Sequence, residues 1–499
     1  MQSEQFKKKE GYPKSAYFVV THQILERFSF YAINVILPFY FQNILHFDEE
    51  ASTAIYHGYS VFSYLSSIIG AVIADSLYGK YKTILLFSAV YSAGTFLTAF
   101  SATELVSSDL TLTITILGLL CVALAAGAIK PCITAFGGDQ FKLPDQEKEL
   151  NSFFPFLYIW INLSLLVAGL VTPILRRDVS CFGKESCYSL AFAVPFTFIV
   201  LSVLAFWIGR RDYRHIIVNE NVVGKFLRCI RFAIVRKFTS SSGSDKVRKH
   251  WLDYAEVEYS AQFIGNVKAV LDVLVLFIPV IIFWAVYEQQ FSTWAFQAER
   301  MNGVIGSYEV PPDQVATLNF ILTFLFLPVF EQLIFPLLSK CNLLTKSMHR
   351  VVFGFICSTL AYVCCYVVEL RIEASELKTI HVVWLLPQYT LMSVAEVMVV
   401  PPLNSFSYSQ APDSMKSVLL TATLLPQALG SVVVIAVAKG NIFQTQSVQF
   451  LFFAGLNTGA VILLIALLWR YKNPSINNDD LELKMEESSI DSSVSPNGN

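Results

Sequence analysis

Apolar stretches close to the ~20 residues that a helix needs to cross about 30 Å of hydrocarbon recur from end to end of this chain. Twelve can be drawn, at 17–44, 55–75, 82–101, 111–133, 152–173, 188–208, 270–290, 315–338, 350–369, 382–402, 416–438 and 447–469. In lipid each backbone amide must find its partner within its own segment, so runs of this length commit the chain to helices. Hydrophobic residues are 54% of the 499 and charged ones 15%, a balance unlike that of a soluble protein of this size. The fold class that follows is an all-α membrane protein. The N-terminus, MQSEQFKKKEGYPKS, has no small-residue cleavage site, so the first stretch is expected to stay in the mature protein.

Basic residues are retained on the cytoplasmic side of membrane proteins. Lys7 to Lys9, GKYK (79–82), the 209–268 connection and RYK (470–472) agree with one placement, while HFDEE (46–50) and SATELVSSD (101–109) fall on the other side. Both termini are then expected to be cytoplasmic. The expected organisation is a cytoplasmic N-terminus (1–16), a six-helix bundle (17–208), a cytoplasmic linker (209–268), a second six-helix bundle (269–470) and an acidic, disordered tail (471–499). Within the linker, VVGKFLRCIRFAIVRKF (222–238) reads as a basic amphipathic helix suited to an anionic inner leaflet, and TSSSGSD (239–245) as a flexible break. Two six-span halves around a central loop are the arrangement of a major facilitator superfamily transporter, with substrate bound between the halves near midplane. A twelve-span receptor, scaffold or membrane enzyme stays open at this point. The net charge of −2 gives no reason to expect a nucleic-acid partner. Cys181 and Cys187 share an external loop, CFGKESC, and whether they pair is left open.

GAVIADSLYGKYKT (70–83) resembles the cytoplasmic loop signature of that superfamily. There is no phosphate-binding glycine loop, metal-spaced His/Cys set or nucleophile elbow, which speaks against an enzyme. What stands out is a sparse set of polar groups inside apolar stretches: Glu26, Arg27, His57, Lys130, Asn162, Asn319, Glu331 and Glu396. Each costs a few kcal/mol in hydrocarbon unless it is paired or faces water, so the default reading is a pathway. Glu26 and Arg27 leave a helix about 100° apart, so each is expected to need a partner on another helix. Lys130 either faces the pathway or snorkels to the cytoplasmic surface. His57, near the outer end of its stretch, is either a solvated histidine or a group that changes charge between pH 5 and 8. Glu396 has no local partner and is suited to carrying a proton. Asn162 and Asn319 read from position alone as helix–helix glue.

ERFSFY (26–31), AIKPCITAFGGDQF (128–141), SFFPFLYIWIN (152–162), FWAVYEQQ (283–290) and FSYSQAPDSMKSVL (406–419) together resemble the proton-dependent oligopeptide transporter family, solute carrier family 15 in animals. ELRIEASELKT (369–379) stands where intestinal and renal members carry a large external domain. The resemblance implies a rocker-switch fold and proton-coupled symport of di- and tripeptides, with protons as the coupling ion and no other cofactor. It implies Arg27, Tyr31 and Lys130 at the peptide carboxylate; Asn162, Asn319 and Glu396 at its amino group; Tyr64 and Trp294 in the pocket; and Glu26, His57 and Glu396 in proton coupling. A monomer in the plasma membrane is expected, with a lysosomal or endosomal membrane left open. The chain departs from the family at Gln23, a glutamate position; at Phe30, a tyrosine position; in LSL (163–165); and at Thr423, where the family has a pocket tryptophan; Pro426 also departs. Gln23 cannot titrate. An uncoupled or altered-specificity carrier of histidine or peptide-like metabolites, and a transporter-like sensor, therefore remain as alternatives.

Overall fold

The computed structural model describes residues 12–471 apart from positions 104, 143–144, 184, 216–221, 240–249, 342–343, 411, 413–414 and 441. Lys7 to Lys9, nearly all of the 239–245 break and the acidic tail lie outside the described residues.

The chain is almost wholly helical, and its helices begin and turn where local chemistry tells them to. α1 (Lys14–Asn43) starts directly after Pro13. α2 (Glu49–Ile73) is capped by Asp48, whose carboxylate accepts the Ala51 amide at 2.6 Å. A π-turn at Ala74–Tyr78 and Gly79, at φ 74°, then reverse the chain into α3 (Gly79–Ser101). Glycine accepts this left-handed region without a Cβ clash. α4 (Ser108–Gly138), α5 (Glu147–Asp178) and α6 (Tyr188–Ile208) complete the first half. The linker forms α7 (Val222–Thr239).

The seventh crossing is broken. α8 (Ala261–Val275) and α9 (Val280–Tyr287) meet at a 50° bend beside Pro279, and α10 (Thr293–Glu299) follows a short 3-10 turn. Its helix begins eight residues before the second bundle was expected to. A two-stranded hairpin, Val304–Ile305 with Tyr308–Glu309, leads to α11 (Thr317–Val329), which continues through a π-turn into α12 (Phe335–Lys340). α13 (Ser347–Glu373), α14 (Leu386–Gln410), α15 (Lys416–Ala422), α16 (Leu425–Gly440) and α17 (Gln446–Arg470) follow. Nine helical stretches among the described residues are long and apolar enough to cross a membrane, ten with the bent pair. One of them, the 53-residue Glu49–Ser101, doubles back at Gly79 and crosses twice, and the shorter α16 extends α15. The result is the twelve-helix major facilitator fold, two six-helix bundles that meet along α2 with α16 and α5 with α11.

Close backbone approach fixes the first bundle. A Cβ at Gly127 on α4 would lie 1.9 Å from the Ser63 carbonyl oxygen, and one at Gly70 on α2 would lie 2.2 Å from that of Ala128. Small residues at such crossings let membrane helices pack backbone to backbone. Lys80 and Asp139 add a 2.5 Å ion pair between the ends of α3 and α4. That end also carries Lys82, Arg210, Arg211 and α7, and is called the basic end below. The expectation that α7 rests its apolar face on lipid is corrected. Val223, Phe226, Cys229 and Ala233 are buried, and α7 packs on the Trp251–Val257 turn and on α15. Leu227, Ile234 and Phe238 form a separate exposed side.

Gly127→Ala is expected to force α2 and α4 apart, an overpacking cost of about 1–3 kcal/mol. The thermal midpoint in detergent should fall by several degrees. Gly58→Ala, with nothing within 4 Å of its Cβ, should not lower it.

Candidate functional site

Charge of one sign gathers on each half. On α1, Glu26 is fully buried and Arg27 is 7% exposed, and Arg27 Nε donates to Glu26 Oε2 at 2.7 Å. The expectation that each needs a partner on another helix is therefore corrected. The 100° rule concerns where side chains leave the helix, and the long arginine stem bends back to reach its neighbour. The pair is incomplete: Arg27 Nη2 and Glu26 Oε1 are buried with no hydrogen-bond partner. Phe30, in place of the family's tyrosine, stacks under the Arg27 guanidinium at 5.8 Å.

Lys130 on α4 stays inside the bundle, its Nζ 5.0 Å from the centroid of the Tyr64 ring, so it does not snorkel. Pro131 follows it within α4. Together Arg27, Phe30, Tyr64, Gly127 and Lys130 line a narrow cleft. Tyr31 lies between Phe30 of its own half and Phe320 of the other, 5.6 and 5.5 Å away.

The second half supplies the opposite pole. Glu396 Oε2 accepts from Asn319 Nδ2 at 2.8 Å and from Thr323 Oγ1 at 2.9 Å. The Ser393 hydroxyl donates to Asn319 Oδ1 at 2.7 Å, so that amide is committed on both sides. Asn319 acts here as the group that orients Glu396. Asn162 on α5 donates to its own helix, to the Tyr158 carbonyl at 2.8 Å, and keeps part of its surface exposed.

Sequence reasoning missed Glu288. It sits deep in the seventh crossing, 5% exposed, and accepts from the Tyr64 hydroxyl at 2.8 Å across the seam between halves. The signal was present in FWAVYEQQ, a carboxylate inside an apolar stretch, yet that motif served only as a mark of resemblance. His57 likewise crosses the seam. It is completely buried, not solvated, with Nε2 3.1 Å from Ser292 Oγ and Nδ1 without a partner. Trp294 lies away from the cleft, fully buried between Tyr362 (5.7 Å) and Tyr389 (5.0 Å) in the second bundle. Glu331 is exposed.

Opposite the basic end the halves are locked. Arg176 forks onto Asp313 through Nε (2.7 Å) and Nη2 (2.9 Å), with the aspartate fully enclosed. Arg300 holds Glu49 of the first half at 3.0 Å and Glu369 of its own at 2.8 Å. Phe39 and Phe296 add an edge-on contact at 5.3 Å. Cys181 and Cys187 are disulfide-bonded, and the Cys187 amide donates to the Arg176 carbonyl. At the basic end no ion pair joins the halves among the described residues. Lys130, Asn162 and Glu396 each keep part of their surface exposed, and the ion pairs that join the halves among the described residues lie at the face opposite the basic end.

The model of the POT family matches residues 81–448. Human solute carrier family 15 member 1 is 38% identical over 378 residues, 73% of this chain and 53% of that protein. Rat solute carrier family 15 member 2 is 40% identical over 364 residues, 73% of this chain and 50% of that protein. The chain spans about half the length of these curated relatives. Among solved structures, an auto-inhibited POT family peptide transporter superposes with a TM-score of 0.81 at 22% identity, covering 92% of this chain and 98% of that one. A peptide transporter POT in complex with alafosfalin gives 0.71 at 19% identity, over 92% and 95%.

Asp313→Asn leaves Arg176 enclosed without its counter-charge, and breaking a buried pair in this way costs about 3–5 kcal/mol. The closed face should open more often. Labelling of a cysteine placed at Phe296 by a membrane-impermeant maleimide is expected to speed up, while an unchanged rate would mean that the ion pair does not hold this face.

Proposed function

Because the chain belongs to the POT family, we propose that it carries di- and tripeptides across a membrane together with protons, by alternating access between its two halves. The observation that carries this reading is the separation of the poles. Arg27 and Lys130 stand on the first half around a cationic cleft, with Tyr31 facing the seam beside Phe320, and Glu396 with Asn319 stands on the second. A free peptide is the molecule that bears an ammonium at one end and a carboxylate at the other. Arg27 Nη2, buried and unpartnered, is the donor left for the peptide carboxylate, with Lys130 as a second cation and the Tyr31 hydroxyl as a further donor. Glu396 takes the ammonium, and Asn162 is the amide beside it on α5.

Protons enter through the carboxylates that tie these groups together. Protonated Glu288 loosens its hold on the Tyr64 hydroxyl across the seam, and protonated Glu26 releases Arg27 to the substrate. His57 joins the halves through Ser292, so a change in its charge weighs on the same seam. Each event shifts an equilibrium between states open to one side or the other only by its differential affinity for them. The basic end is taken as cytoplasmic, which makes the locked face extracellular, or luminal if the membrane is lysosomal. The plasma membrane is the location proposed. A monomer suffices, since each half supplies one pole.

Gln23 favours one second reading, a carrier of the same substrates that does not couple to protons. The deciding measurement is uptake of a labelled dipeptide into liposomes holding the purified protein, with and without an inward proton gradient. Accumulation above equilibrium that needs the gradient and is abolished by Glu396→Gln is the expected result. Arg27→Lys replaces a planar fork by a point charge and should raise KM roughly tenfold, about 1.4 kcal/mol of binding. Uptake that only equilibrates would select the uncoupled carrier. No dipeptide uptake under either condition would overturn the assignment.

A further inference from the structure

Directly below Glu26 on α1, toward the basic end, lies a second titratable side chain that the scheme above does not use. His22 is completely buried. Its Nε2 is 3.0 Å from the hydroxyl of Ser88 on α3, and its ring stands 4.9 Å from Phe206 on α6. The Ser202 hydroxyl donates to the His22 carbonyl at 3.0 Å, fixing the backbone. Nδ1 is buried with no partner. With hydrogen on Nε2 directed to Ser88, Nδ1 is the free acceptor.

The orphan is one of a file. Glu26 Oε1 and the Tyr91 hydroxyl are also buried without partners, and Tyr91 stands one turn beyond Ser88 as Glu26 stands one turn beyond His22. Residues four apart on a helix are neighbours, about 5–6 Å between Cβ atoms, so the His22 and Glu26 side chains lie on the same face of α1. Groups left unpaired in an apolar bundle are costly and call for a reason. The bland reading is a neutral histidine tied to a serine. It explains Nε2 but not why Nδ1 and Glu26 Oε1 are both left open one turn apart.

We propose that His22 is a proton-carrying residue of the transport cycle, exchanging a proton with Glu26 and so filling the role that Gln23 cannot. This rests on the symport reading above. The transfer breaks O–H at Glu26 and forms N–H at His22 Nδ1, leaving a carboxylate paired with Arg27 and an imidazolium whose Nε2–H still donates to Ser88. The charged groups nearest to it are on its own helix, Glu26 and Arg27. From α3 and α6 it is met by Ser88, Ser202 and Phe206. Phe206 in turn touches two tyrosines, Tyr81 at 5.4 Å and Tyr213 at 5.0 Å, and His215, exposed at the basic end, stands edge-on to Tyr81 at 5.3 Å. A proton on His22 therefore leads away from the substrate cleft toward the side on which protons must be released. Gln23 itself turns to α4, its Nε2 3.4 Å from Thr134 Oγ1.

The test uses His22→Asn, which keeps a hydrogen-bonding side chain opposite Ser88 but does not titrate. Protons taken up when dialanine is added to the purified protein are read with a pH dye, and gradient-driven accumulation is measured in liposomes. Expected are fewer protons taken up than by the wild type and accumulation reduced roughly tenfold or more, with KM changed less than twofold. Adding Gln23→Glu to His22→Asn should restore both. Wild-type behaviour of His22→Asn would overturn the assignment and leave symport standing. So would a loss that Gln23→Glu does not restore and that comes with a lowered thermal midpoint, the mark of a packing role. A wild type that takes up no protons and ignores the gradient would overturn the symport reading, and this assignment with it.

Discussion

A guanidinium enclosed in an apolar bundle is the constraint around which this molecule is arranged. Taking a charge out of water costs several kcal/mol, and attraction to a counter-ion offsets it only when geometry is good and the remaining donors are satisfied. Arg27 meets the first condition through Glu26 and fails the second, since Nη2 has no partner. Lys130 adds a second cation against the Tyr64 ring, and no carboxylate lies within ion-pair distance of it among the described residues. The cluster is left short of negative charge. A site in this condition gains most from a ligand carboxylate, and it persists because the packing around it is strong. The backbone contacts of Gly127 with Ser63 and Gly70 with Ala128 hold α2 and α4 at a distance that side-chain repacking cannot relax.

The seam between the halves has a different character. Beside the ring contacts of Phe39 with Phe296 and Tyr31 with Phe320, it carries polar links: Arg176 to Asp313, Arg300 to Glu49, His57 to Ser292 and Tyr64 to Glu288. Buried pairs of this kind give little net stability, because hydration when apart competes with Coulomb attraction when together. That is a defect in a core and an asset in a hinge. Two arrangements of the halves joined by such contacts would differ by a small free energy, which is what the proposed transport cycle requires of them. An oily seam of the same area would hold the halves in one state.

The sequence disclosed the number and type of the crossings because lipid imposes a length on each apolar stretch. Their ends were less legible. α4 runs on to Gly138 and α14 to Gln410, since a helix does not stop at the edge of the hydrocarbon. The break in the seventh crossing went unread although Pro279 marks it. Local motif chemistry singled out Arg27, Lys130 and Glu396 as candidates, for each is conspicuous in its own segment. What it could not give was any relation across the seam. His57 was open between a solvated histidine and a proton-coupling group because its partner Ser292 is 235 positions away, and Glu288 was passed over because its partner Tyr64 lies on the other half. Glu26 and Arg27 were kept apart by a rule about Cβ directions that long side chains evade. The apolar face of α7 was assigned to lipid because the turn that covers it follows a dozen residues later.

The two poles also have to be kept from each other. If Glu396 could swing onto Arg27 or Lys130, the charges would cancel and the cleft would offer nothing to a ligand. Each pole is instead tied to its own half. Asn319 and Thr323 hold one oxygen of Glu396 from a single helix of the second bundle, and Ser393 fixes Asn319 in turn. Glu26 holds Arg27 from the adjacent position on α1. The bonds of Asn319 also tie α11 to α14, so Asn319 is a link between helices. By anchoring the carboxylate to α11 it keeps the two poles apart, the condition on which the proposed recognition of a molecule charged at both ends rests.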